Sequence, residues 1–483
     1  MKSEHSWTVP KILCVALLSL AGLWLLACVA LSAYLYLAMP KSPIVDDSDL
    51  RLVESAVSDD ENAYVAFLAV TNLLDCSSED KSILSAYSTY CGGQSKPFRF
   101  WREDGTPETC RAEVDRILTE RAEGLKGLHQ AFLRSKYRLI PDADGLCFPP
   151  VSAMTLAHRL LQAQADRARE SGDFATAVTA GRDGLLFATL CRDNALTFVE
   201  WLVGSGMGAI SCRSMVRLAN EDGVSDELLT TVAELLKDDF DENALFEQTV
   251  KREYVNFSCW ALDKTSGSIS VYELPTGLCT ACPCAPSIVR VPGLVRFAYN
   301  KEMTRQDLVN VFRAGLAGCD ADELVPQPRS IFQPNFAGRI LALTVTPAFK
   351  DIRDNLKRTL FVLRATRTAV AIRRYGRANG GAVPTDLSAL VPTCLAEVPR
   401  DPFAPDRVLG YDAVARRVWT VGPDGDFNAL DSEPMTKSEF KRKGRNTPFG
   451  LMAYRISMNS PQGDDSFANR LRFSGGCGII MSS

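Results

Sequence analysis

Residues 152–177 read SAMTLAHRLLQAQADRARESGDFATA, and the class of the fold follows from them. Leu156, Leu160, Leu161, Ala165 and Ala168 recur at three- and four-residue steps, which places them on one face of a helix over 152–170. Ser171-Gly172-Asp173 ends that helix, and Phe174-Ala175-x-Ala177 opens the next. Small residues at such spacings let two antiparallel helices approach closely. The expected class is mainly α, with a helical hairpin as its unit.

The hairpin resembles tetratricopeptide-type hairpins in style, without a clean 34-residue repeat. Upstream, the stretch around residues 50–74 has helical apolar spacing, a break runs from Cys91-Gly92-Gly93 to Pro107, and 111–137 is read as another helix. Downstream, a helix over 195–219 carries Gly204, Gly206 and Gly208. These permit close helix packing, and the lysine of a phosphate-binding loop is missing. Residues 225–254 continue as helix behind Ser225 as N-cap. Residues 49–254 are thus a helical domain. Residues 255–335 form a Cys/Pro-rich loop region with one helix over 294–317, and Pro326, Pro328 and Pro334 mark a boundary.

The N-terminus sets the compartment. Residues 12–39 carry no charge and exceed the roughly 20 residues needed to cross a ~30 Å hydrocarbon core. Trp7 and the pair Tyr34 and Tyr36 flank or end the span, where amphipathic rings favour the headgroups. Lys2 and Lys11 precede it against Lys41 after it, so residues 1–11 are expected in the cytoplasm and the bulk of the chain outside the cytoplasmic membrane. The run is too long for a cleaved signal. Leu25-Leu26-Ala27-Cys28 loosely resembles a lipobox, but the chain stays hydrophobic after Cys28. At 483 residues, 46% hydrophobic and 23% charged, the protein is globular, and its net charge of −4 argues against nucleic acid as a partner. The basic run at 437–445 reads as a solvated face.

From Phe349 a long amphipathic helix extends to about Arg377, ended by Gly380-Gly381. Thr385 is read as the N-cap of a short helix, and residues 408–421 as a β-hairpin with Tyr411 on one arm and Val418 and Trp419 on the other. The ordered series is Ala371-x-x-x-Tyr375, Asn379-Gly380, Pro384-Thr385-x-Leu387-x-x-Leu390-Val391-Pro392, Val398-Pro399-x-Asp401-Pro402-Phe403, Tyr411 and Val421-Gly422-x-Asp424-Gly425. It resembles the globular domain of the G-type major pseudopilin of type II secretion, over about 349–433. The resemblance implies a small α+β module and a calcium-binding acidic loop, for which Asp424, Asp426, Asn428, Leu430 (through its carbonyl) and Asp431 are the candidate ligands. A pseudopilin's membrane helix carries a glutamate and runs directly into this module. Here that helix has no glutamate and lies some three hundred residues upstream, which argues against assembly into a pseudopilus. Residues 434–483 form a tail in which 471–480 reads as one or two strands and Cys477 as a tether.

Catalytic signatures do not emerge. There is no HExxH helix, GxSxG elbow or Walker A loop, and His129 and His158 are the histidines beyond the span. Both are read as surface or packing residues, and the carboxylate pairs Asp59-Asp60 and Asp238-Asp239 as solvated helix ends. The cluster Cys279-Thr-Ala-Cys282-Pro-Cys284 lies among prolines, and structural disulfides are its expected use. The function expected is non-enzymatic: an envelope scaffold that binds proteins near a secretion apparatus, with no small-molecule ligand indicated. The alternatives are a hydrolase using scattered carboxylates and a thiol or redox protein using Cys279, Cys282 and Cys284.

Overall fold

The computed structural model describes residues 9–52, 56–91, 106–140, 149–236, 241–264, 268–270, 296–319, 333–346, 349–414, 417–422 and 453–455. The molecule is mainly helical. Helix α1, Val9–Leu37, is long and apolar enough to cross a membrane, and most of its described side chains are exposed. Behind it come α2 (Ala63–Leu74), α3 (Ser78–Cys91), α4 (Pro107–Glu120), α5 (Ala122–Phe132), α6 (Val151–Ser171), α7 (Phe174–Asp193), α8 (Phe198–Ala219), α9 (Asp226–Leu235) and α10 (Glu242–Glu253).

The α6–α7 hairpin follows the pattern of its sequence. Gly172 closes α6 at φ 81, a left-handed conformation that glycine adopts without steric cost, and Asp173 caps α7 by accepting from Thr176 N at 3.1 Å. Helix α8 lies against α7 because Gly204 has no side chain: a Cβ there would stand 2.6 Å from Arg192 N and 2.9 Å from Ala188 O. Gly206 faces open space, whereas Gly181 of α7 also makes room for α8: a Cβ there would stand 2.6 Å from Met215 Cε.

Four boundaries differ from the sequence reading, each for a local reason. Helix α2 begins only at Ala63, because the Asn62 side chain both caps it through Tyr64 N and bonds the backbone of Arg138. The helix expected over 111–137 is two, broken at Arg121, and it ends at Phe132 so that residues 136–138 can run extended beside Asn62. Residues 225–254 split into α9, capped by Ser225 as expected, and α10, capped by Asp241. Helical structure then runs past 254 into a π-turn (Tyr254–Cys259) and α11 (Trp260–Lys264), where a loop was expected.

Strands β1 (Ser268–Ser270) and β2 (Arg296–Ala298) pair antiparallel, and Asn300 caps α12 (Lys301–Leu316). Helix α13 (Phe336–Val345), which sequence reading passed over, leads to α14 (Phe349–Ala378). Asp386, rather than Thr385, caps the 3-10 turn Leu387–Leu390. Strands β3 (Gly410–Asp412) and β4 (Arg417–Trp419) pair with Tyr411 opposite Val418, and β5 (Ala453–Arg455) adds a third strand. Asp401, 2% exposed, accepts from Phe403 N and Val421 N at 2.9 Å each and from Thr420 Oγ1 at 2.5 Å, tying the 401–403 turn to the hairpin's end.

Among the described residues, three apolar cores hold the body. Phe67, Phe132 and Phe187 centre one, with Phe132 and Phe187 stacked at 4.5 Å. Tyr254, Phe312 and Phe349 centre another, which also covers Cys28 and Leu35 of α1. The third joins α7, α8 and α9 to Phe361, Ala369 and Val370 of α14 and to Val418 of β4. Helix α14 is therefore a wall of the helical body as well as the start of the C-terminal segment.

The segment between α1 and α2 is fastened to this body. Leu50 is fully buried, Tyr254 Oη donates to Asp47 Oδ2 at 2.8 Å, and Arg313 grips Asp49 through Nε (3.0 Å) and Nη2 (2.6 Å). Arg313 Nη2 also donates to Asp46 O at 2.9 Å.

Candidate functional site

The strongest candidate is a cleft of about 410 Å³ beside the α7–α8 turn. Its cations come from two segments. The extended run after α5 alternates, so Tyr137 points inward at 3% exposure while Lys136 and Arg138 lie on the other side. Gln248 and Arg252 sit one helical turn apart on α10 and therefore share a face. Arg252 Nη1 donates to Asp193 O at 3.0 Å, and Lys136 Nζ meets Glu61 Oε2 at 2.7 Å at the rim. Leu52, Val57 and Leu196 supply the apolar lining.

Two carboxyl groups are buried behind this cleft. Glu200 is fully buried in the first turn of α8, where it accepts from Leu196 N at 2.9 Å. Glu253 on α10 accepts from Phe198 N at 2.8 Å. Burial pushes Glu200 up to about 8 and Glu253 up to about 7, while the backbone donors hold each down somewhat. Both acids satisfy N–H groups at the start of α8, so their role is to join α10, α8 and the α7–α8 turn.

The two histidines are likewise structural. His158, 2% exposed, has Nε2 2.9 Å from Ser211 Oγ, which also accepts from Gln162 Nε2 at 3.1 Å. Burial drops the imidazole to about 3, so it is neutral. With Ser211 wholly buried, this serine–histidine pair is a core hydrogen bond that no substrate reaches. His129 Nδ1 lies 2.6 Å from Asp183 Oδ2, and burial raises Asp183 despite that contact.

The calcium candidates Asp424, Asp426, Asn428, Leu430 and Asp431, and the thiols Cys279, Cys282 and Cys284, lie outside the described residues. Among the described residues no group of three or more His, Cys, Asp or Glu is arranged to hold a metal. Nine described cysteines are free thiols, six of them buried singly, as small apolar residues. Sequence reading missed Lys136, Arg138 and Arg252, whose convergence depends on the break after Phe132. Compared with protein-family models, curated proteins and solved structures, the chain matches none.

Proposed function

We propose that this chain is a single-pass bacterial envelope protein whose ectodomain works by binding other proteins, near a type II secretion-like apparatus. Residues 1–11 are on the cytoplasmic side and the body is outside, following the lysine bias around α1. The observation that carries the reading is the fastened segment after α1: Asp46, Asp47, Asp49 and Leu50 bind the anchor to the body, so the body's surfaces keep a fixed direction relative to the membrane. Fixed mounting is what a scaffold requires, whereas a hydrolase acting on diffusing substrates works equally well on a loose tether. Support for a pseudopilin-like segment is that residues quoted for the resemblance meet: Tyr411 Oη donates to Pro384 O at 3.2 Å, and Asp401 bonds Val421 N. In that reading the loop 424–431 takes calcium through oxygen donors. Calcium would then raise the melting temperature, and Asp424→Asn would remove the rise.

Photo-crosslinkers at Val408 and Val414, both exposed, test the binding reading in intact cells. Discrete adducts to a secretion-type envelope protein are expected. Free chain alone, from both positions and from exposed Leu133 on the helical side, contradicts it.

A further inference from the structure

We infer that the body is seated in the lipid headgroup layer, with the core packed on α1 between Cys28 and Leu35 lying at the edge of the hydrocarbon. The inference rests on the reading of α1 as a membrane span and adds a depth to it. N-terminal to Cys28 the helix is exposed on every side, at Leu17, Leu18, Leu20, Leu23, Leu25 and Leu26, as a helix alone in lipid would be. Cys28 and Leu35 are instead buried and Leu31 is half-buried. Steps of three and four residues put them on one face, and that face belongs to the core of Tyr254 and Phe312. Strand β2 lies beside α1, and Asn300 just after it donates to Pro40 O at 3.4 Å, so this junction stands where the chain leaves the membrane.

The length of the apolar run sets how deep that core lies. Residues 12–37 rise ~39 Å as a helix, about 9 Å more than a ~30 Å hydrocarbon core. A lysine is costly to draw into lipid, so Lys11 keeps the start of the hydrocarbon near Ile12. Roughly 20 residues on, it ends near Leu31. Tyr34 and Tyr36 then stand at headgroup level, where such rings are favoured. Tilt that took up the whole run would draw the covering core into hydrocarbon as well. The carboxylates of Asp47 and Asp49, fastened to Tyr254 and Arg313, oppose that. Depth is therefore bounded from both sides, and the elements packed around α1 meet lipid headgroups.

The test uses the unaltered full-length chain in phosphatidylcholine–phosphatidylglycerol vesicles that carry a photoactivatable diazirine, either in the headgroup or at the acyl-chain end. Lipid adducts are mapped to peptides by mass spectrometry. The headgroup probe is expected to label residues 296–303, where β2 leads into α12, several-fold more than α3. The acyl-end probe is expected to label α1 around residues 17–26 and to leave 296–303 unlabelled. A headgroup probe that labels 296–303 no more than α3 overturns the inference. So does labelling of 296–303 by the acyl-end probe. No adduct on α1 from either probe removes the membrane reading itself, and the inference with it.

Discussion

At Gly204 a missing Cβ lets α7 and α8 lie close, and the contact is with backbone, which cannot swing aside. Gly204→Ala is expected to cost about 1–3 kcal/mol in urea unfolding. Gly206→Ala, in the same helix but facing open space, is expected to gain about 0.5–1 kcal/mol from helix propensity. Equal effects would show that α8 does not sit as described. Glu200 and Glu253 make a second prediction at this scale. A carboxyl raised to about 8 or 7 when folded, against about 4.3 unfolded, binds more protons in the native state between those limits. Their contribution is fully present at low pH and is lost as pH rises through 7 to 8. Stability should therefore decline from pH 5 to 8, and Glu253→Gln should flatten that slope, as read by chemical denaturation across the range. The three glycines could be picked out in the sequence, but which one touches backbone depends on the rotation of α8, which its small, evenly apolar residues leave open.

Among the elements, the α6–α7 hairpin was legible because its signals are local: Gly172 for the left-handed turn, Asp173 for the cap, leucines and alanines for the face. Asp173→Ala removes an acceptor of an otherwise unpaired N–H and should cost about 1 kcal/mol in thermal or urea unfolding. No loss would mean that another group caps α7. Less local decisions were not legible. Arg121 breaks α4 from α5 without glycine or proline, and Asn62 starts α2 because its amide bonds Arg138, seventy-six residues away. The candidate cleft depends on both events, which is why composition and motif did not disclose it. The β-hairpin with Tyr411 on one arm and Val418 on the other was readable from alternation, though its register was not, whereas β5 comes from a tail whose sequence carries little pattern.

For the whole molecule, the decisive feature is that α14 serves two regions at once. Phe361 is buried with residues of α7, α8 and α9, so the segment 349–433 cannot be removed and leave the body intact. Phe361→Ala is expected to cost about 3–5 kcal/mol and to lower the unfolding midpoint of the helical body as a whole. A change confined to the β3–β4 region would separate the two parts. The chain is thus an apolar helix, a fastened connecting segment and a helical body built partly from its own C-terminal segment. The reading that the body stands outside the cytoplasm is tested most directly with Cys319, an exposed native thiol. Intact spheroplasts would be treated with a membrane-impermeant maleimide and the Cys319 peptide followed by mass spectrometry. Modification without permeabilisation is the predicted result, and modification only after the membrane is opened would contradict the account.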